Sequence, residues 1–456
     1  MADYYFAPAP LGDDANAGTF IDPWETPQKA LDEVAAGDTC HFADGTYTIT
    51  ATVTAMTTGT VGNVITIQAT NSRGAIWDVN NANVARNLNA TDMDYYVFDG
   101  IVFEGNEVLE VSRSIQLETC DHFTFTDCEI FNTWGYGIRA DYCDFLTITD
   151  CEIHHEISHD PGGGFDVSRD GILARDGENL IITGTEVYNT SHLGIAIYGG
   201  TTTLIDDCYI HDTSSHAIWL GDGSSGPLDT LDVTVSYCRI DRAGTYAFEP
   251  RSKRGIVVAQ NTGGILLLRN QIWDSDGQGI QVERTAIGPV YIYHNTLVNN
   301  STDSGSDYGE ISATDSDGDS LEPEIIIRNN IIYHEVSNVF FRFDQDARIG
   351  LTIDYNCEYD NDGDITSIII IGDATYNTFA AYAGGGWEPN SQLNADPLFT
   401  NRGAEDFTLQ AGSPALNAGV DLGLPYYGAA PDMGYWEYWG DPPPTEPSVA
   451  TGVMVG

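Results

Sequence analysis

The segment Cys120–Ile130, CDHFTFTDCEI, returns 23 residues later at Cys143–Ile153 as CDFLTITDCEI. Within each copy small or apolar residues alternate with polar ones, the period of a strand with one buried face. Self-similarity at a spacing of this size marks a repeat architecture. A unit of this length made of short strands fits a coil of a parallel β-solenoid, in which each strand stacks on its counterpart at about 4.8 Å. All 456 residues can then belong to one elongated body, because repeats stack whatever their number.

The cysteines follow the same register. Cys120 matches Cys143, Cys128 matches Cys151, and Cys208 and Cys238 precede the same x-Ile pattern. Stacked Cβ vectors are nearly parallel and suit disulfides poorly, so the reading is a reduced, buried ladder. No spacing among the eight cysteines resembles a zinc site.

Charge excludes one class of partner. The chain carries 68 acidic residues against 18 Lys plus Arg, a net charge of −50, and only Lys29 and Lys253 are lysines. Phosphate backbones require clustered cations, so nucleic acid is not expected as a partner. An acidic surface suits solubility in saline water, or the collection of Ca²⁺. The N-terminus MADYYFAPAP has neither a basic nor an apolar region, and no apolar run reaches 18 residues. The expectation is therefore no visible signal peptide and no membrane span, with an extracellular or virion-surface location.

Read in order, residues 1–60 form a cap and a first coil. Thr26 as N-cap, Pro27 at the first helical position and Gly37 beyond the end predict a short helix, with Ala30, Leu31 and Val34 on its inner face. Such a helix covers the open end of a solenoid. Residues 61–375 carry the coils, 376–438 a C-terminal cap, and 439–456 a Pro-rich extended tail suited to self-association or to a partner protein. Asn ladders are expected at the turns.

The stretch YYFAPAPLGDDANAGTFIDPWETPQKALDEVAAGDTCHFADGTYTI resembles the N-terminal cap of bacterial and phage right-handed parallel β-helix proteins of the pectate-lyase-like superfamily. ADPLFTNRGAEDFTLQAGSPALNAGVDLG, followed by PDMGYWEY, is similar to their closing segment. The resemblance implies an all-β fold, a right-handed parallel β-helix with a short N-terminal capping helix. It does not choose an activity, since that superfamily holds lyases, hydrolases, epimerases, tailspikes and adhesins.

Each coil carries a G-I-x-x strand, beginning at Gly137, Gly171, Gly194, Ala217, Ala247 and Gly279, with a weaker member at Val339. If each Ile points inward, the next residue points outward. The first outward column then reads Arg139, Leu173, Ala196, Trp219, Glu249, Gln281, and the second Asp141, Arg175, Tyr198, Gly221, Arg251, Glu283. Aromatic faces stack on sugar rings and Arg grips carboxylate or sulfate. Arg139, Asp141, Arg175, Tyr198, Trp219 and Arg284 are accordingly the glycan-binding candidates; an ordinary polar face is the alternative. Glu249, Arg251 and Lys253 in FEPRSKRG, with Glu283, are the catalytic candidates, because a uronate lyase requires a base and a neutralising cation. A hydrolase would pair carboxylates among Asp222, Glu249 and Glu283. His154, His155, His159 and Asp160 form a histidine-rich cluster in which metal binding competes with an ordinary exposed loop. Asp315, Asp317 and Asp319 in DSDGD, and the DNDGD stretch at 360–364, are oxygen-rich loops that suit Ca²⁺, although no cofactor is required.

Three functions fit these features. One is a surface-exposed structural or adhesive protein, a virion tail or capsid-decoration component that binds glycans. The alternative is a secreted polysaccharide lyase or glycoside hydrolase acting on an anionic polysaccharide. The third is a bacterial surface β-helix with purely architectural duty.

Overall fold

The period-2 pattern is realised as short strands that pair with their counterparts in the next coil. Thr124, Phe125 and Thr126 lie against Thr147, Ile148 and Thr149, and Glu129 against Glu152. The computed structural model describes residues 1–438 except 80–83, 106–112, 157–168, 222–228, 245–252, 284–286, 302–308, 315–323, 336–338, 344–349 and 362–368. Among the described residues a 26-stranded and a 13-stranded sheet wind together. The larger contains two columns of strands, joined where Ile195–Asp206 pairs with both Ile172–Glu178 and Ile181–Thr183. Among the described residues the named strands pair in parallel throughout the coils and antiparallel near the C-terminal end, at Ile369–Ile371 with Ala374–Tyr376 and at Phe399–Asn401 with Asp406–Leu409.

Inward residues fill the tube. Ile115, Ile138, Ile172, Ile195, Ile218, Ile256 and Ile280 form one fully buried column. Aromatics plug the N-terminal coils, where Phe98 stacks on Phe125 at 5.3 Å and Trp77 packs edge-on against Phe103 at 5.4 Å. The capping helix spans Pro27–Glu33, with Thr26 accepting from the Lys29 N–H and Ala30 and Leu31 buried. It ends sooner than the sequence suggests, because Val34 leaves the helix and drops into the core in extended conformation.

The corners are tight because single residues take left-handed backbone, among them Asp127, Asp150 and Asp207 at φ 49°, 53° and 50°. One corner column changes chemistry along its length. It holds Cys128, Cys151, Thr185, Cys208 and Cys238, then Asn270, Asn295, Asn330 and Asn356. All eight cysteines are free and buried, the six in register as expected and Cys40 and Cys357 with them. In the second stretch Asn295 Oδ1 accepts from both the backbone N–H and the side-chain amide of Asn270, each at 2.9 Å. Asn330 serves Asn295 and Asn356 serves Asn330 in the same way. The ladder ends where Ser391 Oγ accepts from the Asn356 N–H at 2.8 Å.

Candidate functional site

The first outward column reads Gln116, Arg139, Leu173, Ala196, Trp219, Val257, Gln281, Ser312 and Arg342. One member differs from the sequence expectation. The strand between Ile218–Leu220 and Ile280–Glu283 is Ile256–Val258, so Val257, not Glu249, occupies the position. The FEPRS segment has a G-I-like spacing, but Gly255-Ile256 has the true pattern, and backbone pairing selects it. Glu249, Arg251, Arg284, Asp222, Asp315, Asp317 and Asp319 lie outside the described residues, as do His159, Asp160 and most of 360–364.

Nor is the strip an open polar face. Leu173 and Ala196 form a buried cluster with Tyr136 and Leu193, with Tyr198 and Trp219 packed against it. At its N-terminal end cations gather. Arg139 Nε donates to Asp141 Oδ2 at 2.7 Å, and Arg175 Nε lies 3.8 Å from Asp141 Oδ1. The guanidinium groups of Arg113 and Arg139 both sit over the Tyr136 ring, at 5.7 and 5.4 Å, and Arg169 sits 5.0 Å over Trp134. Arg113 Nη1 donates to Gln116 Oε1 at 2.6 Å. Burial, and then the charges of Arg139 and Arg86, hold the Arg113 guanidinium below its usual range. Like charges are thus pressed together, in a chain whose net charge is −50.

A second column runs beside the strip, two residues before each core isoleucine: Tyr136, Asp170, Leu193, His216, Arg254 and Gln278. Asp170 is fully buried; its Oδ1 accepts from His192 Nδ1 at 2.6 Å and from the Leu193 N–H at 3.2 Å. Burial, then the Asp170 charge, pushes the Tyr198 phenol well above its usual range. His216 is held neutral by burial; its Nδ1 accepts from the Arg254 N–H at 3.2 Å, and its ring lies 5.3 Å from Trp219. Burial raises the Glu283 carboxyl against the opposing pull of Arg254. Lys253 is committed elsewhere, bonded to Asp276 Oδ2 at 2.6 Å. Several buried polar atoms along these columns have no hydrogen-bond partner, among them Trp219 Nε1, Asp170 Oδ2, Gln278 Nε2 and Ser312 Oγ. Such atoms are costly unless something pairs with them.

The structure therefore brings Arg139, Asp141, Arg175, Tyr198 and Trp219 onto one strip and sets Lys253 apart in an ion pair. Sequence reasoning missed Arg113, Tyr136, Asp170 and His192. Their signal was positional: each lies at or just before the turn that leads into a G-I strand.

Two families match the sequence. "Pel9A-like, right handed beta helix region" covers residues 4–171, and "Right handed beta helix region" covers residues 113–315. The structure of pectate lyase Pel9A aligns over 96% of both chains at 18% identity, with a TM-score of 0.53. The chain is a pectate-lyase-like, right-handed parallel β-helix. A rhamnogalacturonan lyase also aligns with this β-helix, over 74% of this chain and 83% of its own, at 16% identity and a TM-score of 0.48. So does PfbA, a surface adhesin of Streptococcus pneumoniae, over 75% and 83%, at 10% identity and a TM-score of 0.46. At these identities the likeness is one of fold. No curated protein matches the sequence. Among the described residues no helix is long and apolar enough to cross a membrane.

Proposed function

We propose that this β-helix binds an anionic polysaccharide along the strip from Arg113 to Gln281, outside the cell, on a virion or cell surface. The observation that carries the reading is the arginine cluster. Arg113 and Arg139 both lie against the Tyr136 ring, Arg139 and Arg175 share one carboxylate, and Arg86 adds its charge, in an otherwise acidic molecule. A carboxylate or sulfate laid on the strip relieves that repulsion and accepts charge-assisted hydrogen bonds. The partly buried rings of Tyr198 and Trp219, packed on that apolar cluster, suit the C–H faces of sugar rings. Calorimetric titration with polygalacturonate, alginate and a neutral glucan tests it. Binding is expected to the first two, with Arg139→Ala weakening it at least tenfold, the loss of one charge-assisted contact of about 2 kcal/mol. Equal binding of the neutral glucan would sink the reading.

One observation favours cleavage as a second reading. The Asp170–His192 pair holds an oriented imidazole at the column that runs beside the strip. In a β-elimination His192 would take the proton α to a uronate carboxylate whose charge an arginine neutralises. The C4–C5 double bond would form as the C4–oxygen bond breaks, and the released alcohol would take up a proton. Ultraviolet absorbance of unsaturated uronate, lost in His192→Ala while binding persists, distinguishes an enzyme from a binder.

A further inference from the structure

The outer face of the smaller sheet carries a second cluster, away from the strip. Glu129 lies on Glu129–Phe131; Glu152 and His154 lie two residues apart on the same face of Glu152–Glu156. Register stacks Glu129 on Glu152 and Phe131 on His154. The side-chain ligand atoms of Glu129, Glu152 and His154 all fall within 4.8 Å of one another. His154 Nε2 is 3.1 Å from Glu129 Oε1 and 3.7 Å from Glu152 Oε1.

We propose that Glu129, Glu152 and His154 form a binding site for one borderline divalent transition-metal ion of the Zn²⁺ or Co²⁺ class. Three features of the lattice support it. First, the imidazole is fixed: it stacks between Phe131, at 5.3 Å and 8°, and Tyr188, at 4.8 Å and 8°, so rotation of the ring is blocked and Nε2 stays aimed at both carboxylates. Second, the remaining groups are oriented from behind. Arg73 Nη1 donates to Glu152 Oε2 at 2.7 Å and the Tyr188 hydroxyl to Glu152 Oε1 at 2.8 Å. His154 Nδ1 contacts His155 Nδ1 at 2.5 Å, and such outer partners set the tautomer and plane of a metal-bound histidine. Third, the charge is unbalanced. Asp127, Glu129 and Glu152 are three carboxylates served by the single guanidinium of Arg73, and a divalent cation closes the difference. Coordination through Nε2 leaves Nδ1 of His154 as the nitrogen that faces His155. An imidazole with two carboxylates selects against Ca²⁺, which takes oxygen ligands.

The test is titration of the full chain with Co²⁺, read by its visible d–d absorption and by displacement with Zn²⁺. One ion per chain with nitrogen and oxygen ligation is expected. His154→Phe keeps an aromatic ring between Phe131 and Tyr188 and removes the ligand; it is expected to weaken binding at least 100-fold. Glu129→Gln is expected to weaken it at least tenfold, and excess Ca²⁺ is expected to leave the spectrum unchanged. Undiminished Co²⁺ binding in a folded His154→Phe chain, or displacement of Co²⁺ by Ca²⁺, would overturn the site. So would absence of the Co²⁺ spectrum in the unaltered protein.

Discussion

The coils from Ile115 to Asp241 and those from Ile265 to Asp360 share one lattice and solve it with different chemistry. In the first stretch the corner column is mainly cysteine, whose thiols make only weak contacts, such as Cys128 Sγ to Phe98 O at 3.5 Å. In the second it is asparagine, and each amide caps the coil before it. The first stretch ties its charges in pairs, such as Arg139–Asp141, His154–Glu129 and the buried Asp170–His192. The second buries carboxyls deeply: burial pushes Glu310 up to about 8 and raises Glu358. The arginine cluster thus sits where the corners are chemically quiet, and most of the polar stapling lies beyond it.

The largest expected effect tests the ladder. Asn295→Ala strands two buried donors of Asn270, a loss of about 3 kcal/mol. Cys151→Ala at the equivalent position is expected to cost about 1 kcal/mol. Urea denaturation compares them, and equal losses would erase the distinction between the halves.

Next comes pH. Glu310 is raised from an ordinary 4.5 to about 8 by burial, which outweighs the two bonds from Asn300. His334 Nε2 faces it at 3.3 Å, and the charge of Asp274 raises it further. A raised carboxyl favours the folded state through its proton. Its contribution is whole below about pH 4.5 and is lost as pH rises through about 8. Glu437, raised to about 7, acts in the same direction. Glu310→Gln is expected to flatten this decline and to stabilise the fold at pH 8 by about a few kcal/mol relative to the unaltered chain, read as a higher melting temperature. A decline unchanged in that variant would remove Glu310 as its source.

A smaller effect separates binding in the two halves. Arg139 and Arg342 occupy the same outward column. Arg139→Ala is expected to cost at least tenfold in polysaccharide affinity and Arg342→Ala less than twofold, about 0.4 kcal/mol. Equal losses would mean that the whole column, not its N-terminal end, holds the ligand. Smallest of all, Lys253→Ala removes a half-exposed ion pair with Asp276 and is expected to cost under about 1 kcal/mol, with polysaccharide binding intact.

The sequence made the repeat legible because burial imposes period 2, and the stacked cysteines and isoleucines were readable from that alone. It placed Arg139, Asp141, Arg175, Tyr198 and Trp219 on one strip for the same reason. It misplaced one coil, because spacing alone could not choose between Ala247 and Gly255 as the start of a strand; pairing with Ile218 and Ile280 decides it. It missed Asp170 and His192 because turn residues obey no periodicity, and their contact depends on how successive turns overlay. The Glu129–Glu152–His154 grouping was equally hidden, since its members come from two coils and only the stacking distance unites them.

The thiols also make the molecule its own clock. All eight are reduced and buried, and burial raises those of Cys40, Cys128, Cys238 and Cys357 far above the range in which a thiolate reacts. An alkylating reagent therefore reaches each one only when its own coil opens. Seven lie between Cys40 and Cys238, and Cys357 alone lies in the asparagine-stapled stretch. Mass spectrometry of the labelling times would then record, coil by coil, the order in which the solenoid unwinds.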